Sequence, residues 1–296
     1  MKKYVVLTDS TCDIPEEIAQ KHGIDILSFT VILDGKEYDE RRDLDPDQFY
    51  KLLDEAEGMP TTAQITSITF AETFERYDAE GVEELLYVSI NSTGSSTYSN
   101  AVFAAQQYAE EHPDSKLKIY IVDSHTYSMG YGRFVIRAAE KLAAGAEMAD
   151  VIDYLNERFS RVEIVLSVHS LKIIKRSGRI SAAAAFAGEL LGLRPIITLI
   201  GGKTAVVQKV RGDAKMLPAL AAYLKAHAGD RSPYLIGATK GAFDRHGDAR
   251  QLAKLCEKEM GYPPESIFRL GAAVTSNTGT DAIAIVYLKE GEESAE

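Results

Sequence analysis

Short, nearly continuous apolar runs punctuate the first half of the chain, each followed by a polar loop and then a helix-like stretch. Lys3-Tyr4-Val5-Val6-Leu7-Thr8 leads into Asp9-Ser10-Thr11-Cys12-Asp13-Ile14-Pro15. Glu84 to Ile90 leads into Asn91-Ser92-Thr93-Gly94-Ser95-Ser96-Thr97, and Lys118 to Val122 into Asp123-Ser124-His125-Thr126. Runs this short, bounded by turn residues, predict buried strands. Between them, Pro15-Glu16-Glu17 open a short helix that Gly23 closes. Ile24 to Leu33 predicts one strand, turned by Asp34-Gly35 into a hairpin. Asp45-Pro46 starts a helix over 47–57, Met59 to Gln64 reads as a loop, and Thr66 or Ser67 caps a helix to about Tyr77. Tyr98 to Glu111 is an Ala-rich helix. Strand, polar loop and helix in repetition predict an α/β fold, here a Rossmann-like N-terminal domain over 1–160 with a parallel sheet and flanking helices.

Past about Arg158 the pattern changes. Val162 to Val168, a hairpin around Gly201-Gly202, Tyr234 to Ala238, Ile267 to Leu270 and Ala282 to Tyr287 read as strands. Ala214 to Ala228 and Asp248 to Met260 read as helices. This predicts an α+β C-terminal domain over 161–289 with a mostly antiparallel sheet, and a flexible tail over 290–296. Within it, Lys172 to Arg179 forms a basic turn, Ser181 a natural N-cap, and Ala182 to Leu193 a helix stopped by Arg194-Pro195. Only Glu189 is charged in that helix, so it should be buried, either as a core element or as the wall of a narrow apolar slot. Gly202-Lys203-Thr204 resembles the end of a phosphate-binding loop. Ile197 stands where that pattern needs glycine, and no helix follows, so the reading is rejected.

Composition narrows the function. A chain of 296 residues with 45% hydrophobic content can bury two cores. A net charge of -11 argues against nucleic acid, which is held by basic surfaces. No run of about 18 apolar residues and no signal-peptide pattern is found, so a cytoplasmic protein without a membrane span is expected. Cys12 and Cys256 form no metal-type cluster and fit a reducing compartment; no metal and no cofactor is expected.

The polar loops carry the candidate chemistry. Asp9-Ser10-Thr11, Asn91-Ser92-Thr93 and Asp123-Ser124-His125 each follow the carboxyl end of a strand, where parallel sheets gather their ligands. Hydroxyls and free N–H groups at helix starts suit a carboxylate or a phosphate, although Asp and Ser also cap helices with no ligand present. Catalysis would require Cys12 or a loop serine beside a base, and His22, His125 and His169 stand in no recognisable catalytic spacing. A phosphosugar or nucleotide transferase using the same anion loops is the alternative reading.

Several motifs together resemble the DegV family of bacterial fatty-acid-binding proteins. They are Thr8 to Pro15, Pro60-Thr61-Thr62-Ala63-Gln64, Ser92 to Tyr98, Lys175-Arg176-Ser177-Gly178-Arg179-Ile180-Ser181, Arg194-Pro195-Ile196 and Lys209-Val210-Arg211, in the family's order along almost the entire chain. The resemblance implies the family's fold, often called EDD, and a fatty-acid tail lying in a tunnel between two domains. It places the carboxylate at Thr62 and at Ser92 or Ser95, with Thr61, Ser10 and Arg179 as further ligand-binding candidates. Asn277 stands where the family often has a histidine, with Thr280-Asp281 replacing Pro-Gly, and Ala63 replaces a serine. The resemblance further implies a carrier without catalytic residues that hands its long-chain fatty acid to a dihydroxyacetone-kinase-like fatty acid kinase for acyl phosphate formation and phospholipid synthesis. Lys175, Arg176 and Arg211 are the candidates for meeting that partner.

Overall fold

The computed structural model describes residues 3–170, 172–178, 192–245 and 247–290. Contacts divide the chain into two compact units. One comprises the residues up to Leu44 and Thr62–Phe159, the other Asp45–Thr61 and the residues from Ser160 on.

The first unit is organised on β1 (Tyr4–Asp9), followed by α1 (Glu16–His22) and β2 (Ile24–Leu27). After β3 (Thr30–Leu33) and β4 (Lys36–Asp39) the chain leaves this unit for α2 (Pro46–Glu55), and β5 (Thr61–Ala63), α3 (Ser67–Ala79), β6 (Glu84–Ser89) and α4 (Thr97–Glu111) follow. β7 (Lys118–Asp123), α5 (Met129–Ala143) and α6 (Met148–Arg161) complete it. β1, β2, β6 and β7 form a parallel sheet in the order β2-β1-β6-β7. β6 is buried along its whole length, as a near-continuous apolar strand between two neighbours should be.

The single strand expected over Ile24 to Leu33 is two. β2 joins the parallel sheet, while β3 turns away to pair antiparallel with β4 in a small sheet of order β4-β3-β5. The break falls at Phe29, whose amide is held by the Ser10 hydroxyl at 2.9 Å and is thereby withdrawn from any ladder. The expected turn is present, with Asp34 and Gly35 both at positive φ (49° and 76°), as a twisted two-residue hairpin requires. The loop expected over Met59 to Gln64 contains strand β5.

α2 opens with a reciprocal cap. Asp45 accepts from the Gln48 amide at 2.7 Å, and the Asp45 amide donates to the Gln48 side chain at 2.9 Å. Although it falls within 1–160, this helix packs with the second unit. The Lys240 amide donates to the buried Tyr50 hydroxyl (3.1 Å), which also bonds Thr275 Oγ1 (3.0 Å), and Asp47 pairs with Arg269.

The second unit contains β8 (Val162–Val168), α7 (Lys172–Ser177), β9 (Leu193–Ile200), β10 (Lys203–Arg211), α8 (Met216–His227) and β11 (Leu235–Ala238). It ends with α9 (Asp248–Met260), β12 (Ser266–Arg269), α10 (Ala272–Thr278) and β13 (Ala282–Leu288). Its sheet runs β10-β9-β8-β13-β11-β12 and is antiparallel except between β11 and β12. The core lies beneath α8 and α9, where Leu220, Leu224, Leu252 and Cys256 meet Ile236, Ile283 and Ile285. The basic turn over Lys172 to Arg179 is largely helical, since α7 covers Lys172–Ser177 before Gly178 reverses the chain at φ 68°. Arg179 and most of the helix expected over Ala182 to Leu193 lie outside the described residues. At its expected end Gly192 turns at φ 82° and β9 begins at Leu193, so Arg194-Pro195 is strand and not a helix stop. Within β9 the Pro195 carbonyl accepts from Ser167 Oγ (2.7 Å). Helix α10 falls where no helix was expected.

Candidate functional site

Three loops leave the carboxyl ends of β1, β6 and β7, and in the structure they are stitched to one another. The Ile90 amide donates to Asp9 (2.9 Å), the Ser92 amide to Asp123 (3.1 Å), the Asn91 amide to the Thr126 carbonyl (3.1 Å) and the Ser124 amide to Ser89 (3.1 Å). Two carboxylates serve as the knots. Asp9 is wholly buried and accepts from Thr11, Tyr131 (2.7 Å) and Tyr87 (3.2 Å) besides Ile90. Burial pushes its carboxyl above the ordinary range, against the opposing pull of those donors. Asp123 accepts from the amides of Ser92 and His125 and lies 3.1 Å from His125 Nδ1.

Close packing fixes the shape of the 91–97 loop. Gly94 faces the Tyr127 ring so closely that any Cβ would overlap the Tyr127 hydroxyl, which in turn accepts from Asn91 Nδ2 at 3.0 Å. Gly132, near the start of α5, meets the Cys12 carbonyl in the same way.

The backbone N–H groups expected to be free for an anion are mostly engaged inside the loops. Ser92 N is held by Asp123, Thr93 N by the Asn91 side chain, Gly94 N and Ser95 N by the Asn91 carbonyl, and Thr97 N by Ser95 Oγ. What the loop presents instead is hydroxyls. Ser95 Oγ shares a hydrogen bond with Thr97 Oγ1 at 2.9 Å, and the half-buried Ser92 hydroxyl is uncommitted among the described residues. Within the 91–97 loop these five amides are therefore not offered to a phosphate, the contact on which a phosphosugar or nucleotide transferase would depend.

The remaining candidates sort as follows. Ser10 is buried, donating to Glu40 Oε2 (2.6 Å) and accepting from the Phe29 amide (2.9 Å), so its hydroxyl faces protein on both sides. Thr62 is half-buried on β5. The chain just beyond it is tied to α4, where Asn100 Nδ2 donates to the Ile65 carbonyl at 2.8 Å. Thr61, on the same strand, is exposed and belongs to the second unit. Asn277 lies on α10, its Nδ2 donating to the Ala273 carbonyl one turn back (2.9 Å). Lys175, Arg176 and Arg211 are exposed in the second unit, and Arg179 lies outside the described residues. Burial pushes the Cys12 thiol far above its ordinary range, which removes the thiolate a nucleophile needs. Sequence reasoning missed the bracing roles of Asp123 and Glu40. The available signal for Asp123 was an acidic residue closing two of the three strands, Asp9 in β1 and Asp123 in β7.

The sequence pattern of the DegV family, described as an uncharacterised protein family, matches residues 3–290. A DegV domain-containing protein of Clostridium perfringens is 30% identical over 298 residues, covering 99% of this chain and 100% of the relative. Among solved structures, a fatty-acid-binding DegV family protein from Thermus thermophilus is 28% identical, with a TM-score of 0.80 over 97% of this chain and 100% of its own. A fatty acid binding DegV family protein from Streptococcus agalactiae is 25% identical, with a TM-score of 0.84 over 98% and 100%.

Proposed function

The chain belongs to the DegV family, and on that premise we propose that it binds a long-chain fatty acid and presents the carboxylate to a separate dihydroxyacetone-kinase-like kinase for acyl phosphate formation. The observation that carries the reading is full-length similarity to fatty-acid-binding structures, in a chain whose 91–97 loop offers hydroxyls where its backbone N–H groups are engaged. In this reading Thr62 and Ser92 or Ser95 hold the carboxylate, and Asn277 supplies a neutral donor. Thr61 and Arg179 belong to the wider site. Ser10 acts at one remove, by bracing Glu40 and Phe29. The chain is a cytoplasmic carrier, and the chemistry belongs to its partner.

The energetics suit such a division. Burying roughly fourteen methylenes at about 0.8 kcal/mol each gives on the order of 11 kcal/mol gross, more than a few headgroup hydrogen bonds add. Retention then rests on the tail, and the headgroup contacts set orientation. The exposed cations Lys175 and Arg176, adjacent on α7, and Arg211, at the end of β10, are the groups of an otherwise acidic protein that would steer an acidic partner surface.

Mass spectrometry of lipid extracted from protein purified from bacteria should find a long-chain fatty acid. Thr62→Val and Ser95→Ala should weaken binding of the acid more than of its methyl ester. Protein that carries no lipid, and whose melting temperature ignores added fatty acid, would refute the proposal.

A further inference from the structure

His125 is the strongest feature that this reading leaves unused. It follows β7 in a left-handed backbone conformation (φ 52°), which histidine tolerates better than most residues. Its ring is 61% exposed, yet it is not free to wander, because Nδ1 lies 3.1 Å from Asp123 Oδ2. The same carboxylate, 8% exposed, accepts the Ser92 amide on its other oxygen at 3.1 Å. One buried carboxylate therefore fixes both the imidazole and the serine whose hydroxyl is uncommitted. The next residue, Thr126, is 1% exposed, and its Oγ1 has no hydrogen-bond partner among the described residues. Its carbonyl holds the Asn91 amide at 3.1 Å, which keeps it against the same loop.

The tautomer follows from this geometry. With Nδ1 donating to Asp123, the neutral ring offers Nε2 only as an acceptor, which a carboxylate would avoid. The protonated ring donates from Nε2 while still paired with Asp123. The 91–97 loop contributes no charged side chain, and among the described residues Asp123 is the carboxylate within ion-pair distance of His125.

We propose that His125, oriented by Asp123, is a headgroup residue that makes an ion pair with the ligand's carboxylate and couples fatty-acid binding to proton uptake. The inference rests on the fatty-acid reading above and adds to it the group that reads ligand charge. Asp123 is a positioning residue in this arrangement, and Ser92 supplies the neutral contact beside it.

The test uses dodecanoate, kept below its micelle concentration, and dodecanol as its uncharged counterpart. Binding to the wild-type chain and to His125→Asn, which keeps a residue tolerant of left-handed backbone, is measured by titration calorimetry. Each measurement is made in two buffers of different ionisation enthalpy. The wild type should take up protons on binding dodecanoate and none on binding dodecanol. His125→Asn should abolish the uptake and weaken dodecanoate binding roughly ten- to hundredfold, the range of a charge-assisted hydrogen bond, with dodecanol little changed. Asp123→Asn should reduce proton uptake as well. Equal losses for acid and alcohol, or unaltered uptake in His125→Asn, would overturn the inference and leave the fatty-acid reading standing. A wild-type chain that binds neither probe would overturn both.

Discussion

Replacing Ser10 with alanine separates a hydroxyl that holds the fold from one that holds a ligand. The side chain is 1% exposed and joins two segments, donating to Glu40 Oε2 at 2.6 Å and accepting from the Phe29 amide at 2.9 Å. A hydrogen bond to a buried carboxylate contributes about 1.5–3 kcal/mol, and a backbone N–H left buried without a partner costs about 1–3 kcal/mol. The two losses share one site and do not add fully, so Ser10→Ala should destabilise the first unit by about 2–4 kcal/mol. At roughly 2–4 °C per kcal/mol for a unit of this size, the melting temperature should fall by about 5–15 °C. Exchange of the Phe29 amide should quicken on the order of thirtyfold or more, since each 1.4 kcal/mol is about tenfold. Glu40→Gln should cost less, and the double variant should show a coupling of about 1 kcal/mol, because the same bond is lost in both. Dodecanoate affinity, measured well below the variant's melting temperature, should change by less than about twofold. A melting shift under about 2 °C together with lost affinity would show that the hydroxyl serves the ligand and not Glu40.

Two further perturbations probe the scaffold. Gly132→Ala places a methyl group inside contact distance of the Cys12 carbonyl, a backbone atom that cannot rotate away, and should cost about 1–3 kcal/mol by urea unfolding; unaltered stability would show that the two segments separate readily. His169 is held by Asp248 at 2.6 Å and faces Asp213 at 3.5 Å; the Asp248 hydrogen bond leads in raising its pKa above the ordinary 6.5, with burial and, to a smaller extent, Arg194 opposing. A raised folded pKa gives stability that is complete below about pH 6.5 and is lost as pH climbs through the folded value. The urea midpoint should therefore fall from pH 6.5 upward, and His169→Gln should flatten that slope; equal slopes would refute the pairing.

Local chemistry explains what could be read from the chain alone. The β8 and α9 boundaries, the Gly201-Gly202 hairpin (φ 57° and 74°) and the Asp45 cap were legible, because each depends on residues within a few positions of one another. The errors share the opposite property. Ile24 to Leu33 has the composition of one strand, and it breaks where Ser10, nineteen residues away, takes the Phe29 amide and the Glu40 amide takes the Phe29 carbonyl. Arg194-Pro195 reads as a helix stop because proline ends helices, but the register of β9 against β10 turns it into strand. Helix α2 carries its own cap, while its membership of the second unit is set by Tyr50 bonding to Thr275, a partner 225 residues distant.

The same distinction bears on the site. A serine after a strand can face a ligand, cap a helix or brace a carboxylate, and the residue type permits all three. Ser10 and Ser92 look equivalent by position, one residue beyond β1 and three beyond β6, each in an Asp/Asn-Ser-Thr triplet. They diverge because of what lies across from each. Glu40 reaches Ser10 from beyond β4 and engages its hydroxyl, whereas Asp123 reaches Ser92 through the backbone amide and leaves the hydroxyl uncommitted. A carboxylate on the amide also orients the residue, so the acid that removes Ser92 N from any anion nest is the one that aims its side chain. In the proposed reading, the hydroxyls of Ser10 and Ser92 are assigned to scaffold and ligand by which of their groups a distant carboxylate takes. That choice is recorded in the packing of the residue beyond β4 against the end of β1 and of the end of β7 against the loop after β6.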